Sequence, residues 1–278
     1  MKVVVIGGGI LGASAAWHLR DRAEVTVVDS GQMGGLASRA SLGWLNATFY
    51  LCEEHFRLRQ NGIKAWREVS KLLPGLPLSW NGSIIWEKEN GDGRFSAQEL
   101  LRWDYRVTEL DQKALQSLEP FLTLYPSRAW QLPEEGYVDL SLAADMLLKA
   151  SGAFLLSGVM VEAIEEKNGR INGVHTNHGT IKSDQVIVAA GTASEGFAAS
   201  LGIEFPMVER PGLMLTTTSV PKTLYHVFAT PDFELLQRRD GKFMLPTSSH
   251  QQSEGAEDFL FTPGKTASSA MARLSEYL

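Results

Sequence analysis

Val3-Val4-Val5-Ile6-Gly7-Gly8-Gly9-Ile10-Leu11-Gly12 opens the chain, Ala13, Ala15 and Ala16 follow, and Val25-Thr26-Val27-Val28-Asp29 closes the stretch. The two apolar runs read as strands and the small-residue segment between them as a helix. Each glycine of the turn has its own physical task. Gly7 permits the tight turn off the strand, Gly9 lets a backbone approach a pyrophosphate, and Gly12 lets helix and strand pack closely. The helix N-terminus, opened by Ile10 and Leu11, presents unpaired N–H groups and a partial positive charge to a diphosphate. Asp29 ends the second strand, where its carboxylate can accept both ribose hydroxyls and disfavours a 2′-phosphate. The unit therefore predicts dinucleotide binding, and by itself it does not separate FAD from NAD.

Composition narrows the class around that unit. With 278 residues, 44% of them hydrophobic, the chain is long enough for about two domains with a sizeable core. A formal charge of −6 with dispersed lysines and arginines leaves no basic stripe for nucleic acid. The N-terminal apolar run is taken up by the strand-turn-helix and does not read as a signal peptide, so the expected location is the cytoplasm. A lone cysteine, Cys52, excludes an internal disulfide framework, and no Cys/His cluster has metal-ligand spacing, so no metal is expected.

Ser30 to Phe49 is rich in Gly, Ala and Ser and suits backbone wrapped around a ligand. Ser38, Arg39 and Ser41 can hydrogen-bond phosphate or ribitol groups, and Gly35 to Trp44 exceeds what a mononucleotide turn alone requires. Further on, Gly169 to Val174 and Thr176 to Ile181 read as a hairpin with its turn in His175 to Gly179. Asp184 to Gly191 reads as a buried parallel strand ending in the small residues Ala189, Ala190 and Gly191. Ala193 to Leu201 has helical character with Gly202 as terminator. Ala97 to Val107, Gln112 to Leu118 and Glu53 to Leu73 also read as helices. Ser83 to Trp86, Leu213 to Thr217 and Lys242 to Leu245 read as strands.

These pieces, in this order, resemble the D-amino-acid oxidase (DAO) family of FAD-dependent oxidoreductases, which includes glycine oxidase, sarcosine oxidase and bacterial amino-acid dehydrogenases. The resemblance is carried by the N-terminal motif with Asp29, by Gly34 to Trp44, and by Glu135-Gly136-Tyr137-Val138-Asp139. It is carried also by Gly169 to Val174, Asp184 to Gly191 and Leu201 to Pro206. It implies an α/β fold: a Rossmann-like FAD-binding domain with a parallel sheet, formed by residues 1–76 and 136–204, and a mainly antiparallel α+β substrate domain from 77–135 and 205–278. It implies that Gly7, Gly9, Ile10, Leu11 and Gly12 hold the FAD diphosphate and Asp29, followed by Ser30, the adenosine ribose. Gly35, Ala37, Ser38, Gly43 and Trp44 would lie along the diphosphate and flavin, Val161 would meet the adenine through its backbone, and Ala189, Ala190 and Gly191 would border the dinucleotide.

The activity so implied is oxidation of the C–N bond of a small amino acid or secondary amine by hydride transfer to flavin N5, with oxygen or a quinone or protein as electron acceptor. No protein nucleophile is required. An arginine suits a substrate carboxylate, which makes Arg210 and Arg238 candidates, and Tyr225 and His226 are placed to face a substrate cavity from a strand. Family members continue past the second substrate-domain segment, back to the FAD domain, through the region that carries cysteine-attached flavin in some of them. Here Ala270 to Leu278 reads as an unfinished amphipathic helix. The expectation is a truncated member, or one needing a second chain to complete the flavin site, without independent turnover. An NAD-linked dehydrogenase is the other alternative.

Overall fold

A computed structural model describes residues 1–87, 95–208, 212–246 and 263–278. The chain opens with β1 (Lys2–Ile6), α1 (Ile10–Leu19), β2 (Glu24–Asp29) and a single helical turn, α2 (Leu36–Arg39). It continues through β3 (Trp44–Leu45), α3 (Glu53–Leu72), β4 (Leu78–Ser79), β5 (Ser83–Ile85), α4 (Ala97–Arg102), β6 (Thr108–Asp111), α5 (Gln112–Leu118), β7 (Arg128–Leu132) and β8 (Gly136–Val138). Next come α6 (Leu140–Ser151), β9 (Phe154–Ser157), β10 (Val161–Lys167), β11 (Arg170–Thr176), β12 (Gly179–Lys182), β13 (Gln185–Val188) and α7 (Ser194–Ser200). The last elements are β14 (Met214–Thr216), β15 (Val227–Ala229), β16 (Glu234–Gln237), β17 (Phe243–Pro246) and a helix over Pro263–Tyr277.

Two compact units result. The first comprises Met1–Ser41, Gly75–Pro77 and Asp139–Glu209, and the second Leu42–Pro74, Leu78–Val138 and Arg210–Leu278. Residues 42–74, placed by the sequence with the nucleotide domain, therefore group with the second unit.

The first unit is built on a four-stranded sheet, β13-β1-β2-β9, in which every pairing is parallel. Val3, Val4, Val5 and Ile6 are all buried, as the strand beside the sheet centre must be when both faces are covered. Helix α1 packs on α6 through small residues, with Ala13 and Ala16 on one and Ala143 and Ala144 on the other fully buried. Asp139 caps α6 by accepting from the Leu142 N–H, and Gly152, at φ 67°, ends it.

The hairpin expected over residues 169–181 is present as β11 and β12, and β10, unread in the sequence, adds a third strand to it. β10, β11 and β12 form a three-stranded antiparallel sheet, in which Asn168 and Gly169 make the first turn at φ 55° and 75°. The second turn is only Asn177-His178, because Thr176 Oγ1 donates to the Gly179 carbonyl at 2.7 Å and closes it. β13 pairs with β1 as a parallel strand, but it stands at one end of the sheet order and is only half-buried, not buried as expected.

The second unit carries a seven-stranded sheet, β14-β17-β16-β15-β5-β7-β6, antiparallel except for the β15–β5 pair. A small sheet, β3-β8-β4, is antiparallel throughout. Helix α3 buries Phe56 and Ile63 against Leu100, Tyr105 and Leu132. Helix α4 stops at Arg102, short of the Val107 the pattern suggests. The chain turns there through Asp104 at φ 59°, and the Tyr105 N–H bonds back to the Leu100 carbonyl, which swings Tyr105 into the core.

Candidate functional site

In the first unit the glycine-rich turn is fixed by close backbone approaches. Gly7 has φ 104°, its N–H donates to the Val28 carbonyl at 2.8 Å, and a Cβ there would lie 2.3 Å from the Ala189 carbonyl oxygen. A Cβ on Gly12 would lie 1.9 Å from the Gly7 carbonyl oxygen, so only hydrogen lets α1 sit this near β1. The turn and the end of β13 are thus in contact, which brings Gly7 together with Ala189 and Ala190.

Residues 33–38 fold against the same turn. The Gly34 N–H donates to the Gly8 carbonyl at 3.0 Å, Gly35 and Gly9 meet backbone to backbone, and Ser38 Oγ accepts from the Ile10 N–H at 3.0 Å. Helix α1 has no acid in its own first turn. Asp29, at the end of β2, accepts from the Gly8 N–H through Oδ2 and from the Gly31 N–H through Oδ1, each at 2.7 Å. Val161, at the start of β10, is buried with Ile6 and Val28, and the partly buried Ala190 packs against them. Leu11, Ser30, Ala37 and Gly191 are exposed.

Gly43 and Trp44 lie in the second unit. Gly43, at φ 72°, would place a Cβ 2.0 Å from the Val138 carbonyl oxygen, and the Val138 N–H donates to its carbonyl at 2.9 Å. Beyond it the segment is held by Glu135, which the sequence offers only as part of a matched motif. This carboxylate is fully buried and receives four hydrogen bonds. Oε2 accepts from Trp44 Nε1 at 3.0 Å and Ser83 Oγ at 2.6 Å, and Oε1 from the Ala47 N–H at 3.0 Å and Tyr105 OH at 3.2 Å. Burial pushes its pKa up to about 7 against the opposing pull of those donors. Arg59, on α3, donates through Nε to the Asn46 carbonyl at 3.2 Å and through Nη2 to the Asn46 side chain. Burial lowers the Arg59 pKa, and the negative charge of Glu135 opposes that shift. The Thr48 hydroxyl is buried without a hydrogen-bond partner among the described residues.

Of the substrate-site candidates, His226 is 8% exposed and engaged at both ring nitrogens. Nδ1 lies 2.7 Å from Glu119 Oε1 and Nε2 3.2 Å from Gln131 Nε2. Glu119, also fully buried, accepts in addition from the Tyr225 and His226 backbone N–H groups. Tyr225 keeps a 45% exposed side chain. Arg210 lies outside the described residues. Arg238 is paired with Asp240 at 3.5 Å. Among the described residues no group of three His, Cys, Asp or Glu could hold a metal ion, and no helix is long and apolar enough to cross a membrane.

Residues 2–277 match the family model described as FAD dependent oxidoreductase, DAO. A bifunctional protein ThiO/ThiG from Synechocystis sp. is 27% identical over 274 residues, covering 90% of this chain and 39% of that protein. The glycine oxidase of Bacillus subtilis is 26% identical over 244 residues, 81% of this chain and 64% of the enzyme. In fold, the crystal structure of glycine oxidase from Bacillus cereus superposes with a TM-score of 0.80 at 19% identity, over 100% of this chain and 78% of that one. The chain spans about two fifths of the length of the ThiO/ThiG relative.

Proposed function

We infer that this chain, which belongs to the DAO family of FAD-dependent oxidoreductases, binds FAD at the first unit's glycine-rich turn and oxidises the C–N bond of a small amino acid or secondary amine. The observation that carries the reading is the cradle at β1, α1 and β2, where Gly7 and Gly12 leave no room for a Cβ and Asp29 closes the strand. The residues fit the group. A Cβ on Gly9 would meet nothing nearer than Ser38 Oγ at 3.4 Å, so a ligand can reach the backbone there, and α1 has ten residues with no acid in its first turn. The α1 N–H groups would hold the diphosphate, Asp29 the adenosine ribose, and Ser38 would exchange its bond to the Ile10 N–H for a phosphate oxygen. FAD, when bound, supplies the two-electron acceptor for the amine C–H.

The chain's own contribution is binding, orientation and exclusion of water. Val161, Ala189 and Ala190 would border the dinucleotide. In the second unit Tyr225 is the candidate with an exposed side chain for the substrate, since His226 is committed to Glu119 and Gln131. The glycine oxidase relatives support a substrate that carries its amine next to a carboxylate.

The test is the visible spectrum of the FAD-loaded protein during anaerobic addition of glycine, sarcosine, proline and a panel of D-amino acids. Bleaching of the flavin bands by one of them is expected. Peroxide on readmission of air distinguishes oxygen from a quinone or protein as the acceptor. Failure to take up FAD at all would sink the reading.

A further inference from the structure

Gly8 is enclosed on three sides by the loop that follows β2. Its N–H donates to Asp29 Oδ2 at 2.7 Å and its carbonyl accepts from the Gly34 N–H at 3.0 Å, so both ends of the loop close on one residue. The third side is taken by Met33. A Cβ on Gly8 would lie 2.3 Å from Met33 Sδ and 3.4 Å from Asp29 Oδ2. Laid end to end, those distances put the sulfur within 5.7 Å of the carboxylate oxygen. The half-buried Met33 thus delivers, from across the loop, the apolar group that a side chain at position 8 would otherwise supply. The loop itself is pinned. The Gly31 N–H donates to Asp29 Oδ1 at 2.7 Å, and the Gly31 and Asp29 carbonyls accept from the Gly158 and Val159 N–H groups, each at 3.1 Å. On that fixed backbone the unbranched, polarizable thioether can follow the shape of whatever packs on it. Each Asp29 oxygen accepts one hydrogen bond from the chain and keeps acceptor capacity for a hydroxyl. An acceptor and an apolar surface therefore stand side by side over one glycine, complementary to a sugar with a hydroxyl edge and a C–H face.

We propose that Met33 is a cofactor-contact residue: its thioether packs on the face of the adenosine ribose while Asp29 takes the hydroxyls. The proposal rests on the reading above that Asp29 holds the ribose, and it involves the first unit alone. Three substitutions separate this contact from a merely structural one. Met33→Ala removes the apolar surface, and Met33→Leu keeps it at similar volume. Met33→Gln keeps the length but sets an amide donor beside Asp29 Oδ2, where it competes with the ribose for the same acceptor. Gly8→Ala tests the placement of the sulfur directly, since its Cβ must displace Met33 Sδ.

The experiment titrates FAD, by fluorescence quenching, and ADP, by calorimetry, into wild type and variants, with urea midpoints measured in parallel. ADP carries the ribose and diphosphate without the flavin. Met33→Ala should weaken FAD and ADP by the same factor, about tenfold, the equivalent of roughly two methylene groups withdrawn from contact. Met33→Leu should stay within about threefold of wild type for both ligands. Should Met33→Ala not fold, Met33→Gln carries the test, with a loss of about threefold or more for both. Gly8→Ala should weaken FAD binding in wild type and by less in the Met33→Ala background, where its Cβ has room. Wild-type FAD constants in Met33→Ala or Met33→Gln overturn the proposal, as do losses that merely follow the urea midpoints across the series. A loss for FAD that ADP does not share moves the contact off the adenosine end and overturns it too. So do equal losses from Gly8→Ala in both backgrounds, which place the sulfur away from Gly8. Wild type that takes up no FAD overturns the proposed function along with it, whereas normal wild-type binding with unaffected variants overturns this inference alone.

Discussion

Gly12→Ala isolates the contact that lets the first helix rest on the first strand. A Cβ at this position would sit 1.9 Å from the Gly7 carbonyl oxygen and 3.3 Å from Val5 Cγ1, whereas real Cβ atoms essentially never come within 3.0 Å. The helix must therefore move outward by at least 1.1 Å, the difference between 3.0 and 1.9 Å. The obstructing atom belongs to backbone, and Gly7 is itself held by the Val28 carbonyl and pressed against Ala189, so it cannot yield. The cost should fall at the upper end of the overpacking range, about 3 kcal/mol. That is a large part of the ~5–15 kcal/mol that holds a domain folded. A displacement of this size also breaks hydrogen bonds from the α1 N-terminus to a diphosphate, each worth ~1.5–3 kcal/mol to a charged acceptor, so FAD should bind tenfold or more weakly. Urea unfolding and FAD fluorescence quenching measure the two effects. Gly62→Ala is the control, because a Cβ there meets nothing within 4 Å on helix α3, and it should stabilise by about 0.5–1 kcal/mol. A Gly12→Ala protein with wild-type urea midpoint and FAD affinity would refute the reasoning.

Asp29→Ala leaves the Gly8 and Gly31 N–H groups without their acceptor and should weaken FAD binding about tenfold, with Asp29→Asn intermediate in the same fluorescence titration. Glu119→Ala strands His226 Nδ1 and two backbone N–H groups in the buried core of the second unit. A loss of about 3 kcal/mol or more is expected from urea midpoints, and a shift under 1 kcal/mol would contradict the assigned network. For Glu135 the folded pKa near 7 stands above the ordinary 4.5, so the folded state binds the proton more tightly than the unfolded one. Its contribution to stability is present below pH 4.5 and is lost as pH rises to 7. Wild type should lose about 3 kcal/mol relative to Glu135→Gln between pH 4.5 and 7.5, and parallel pH profiles for the two proteins would exclude the buried carboxylate.

The β1-α1-β2 unit was legible because every signal in it is local. A strand covered on both faces reads as an unbroken apolar run, and Gly12 answers to Gly7 within the same turn, although Gly7 itself meets the distant Ala189. Signals failed where charge or tertiary packing overrode them. β10 carries Glu162, Glu165, Glu166 and Lys167 and two register shifts against β11, so its pattern hides the strand and frames the region as one hairpin instead of three strands. Tyr105 and Val107 extend the apolar rhythm of α4, yet Tyr105 reaches the core by turning back from the helix and not by continuing it. The half-buried state of β13 depends on its place in the sheet order, which its own residues do not record.

Glu134 and Glu135 show why the buried carboxylate network of the second unit lay beyond the sequence. They are adjacent and chemically alike, yet Glu134 pairs with Arg106 near the surface while Glu135 is fully buried under four donors. Those donors stand 30, 52, 88 and 91 positions away along the chain, so no periodicity or spacing joins them to the acid they serve. In the structure β8 follows at once and pairs with β3, and a Cβ on Gly136 would lie 2.0 Å from the Ser79 carbonyl oxygen. The backbone is therefore clamped immediately beyond Glu135, which commits the acid to the interior before any of its partners is counted. An acid held in that way can keep its charge only if the surrounding chain supplies donors, and here two of the four come from the ends of one short segment, Trp44 to Ala47.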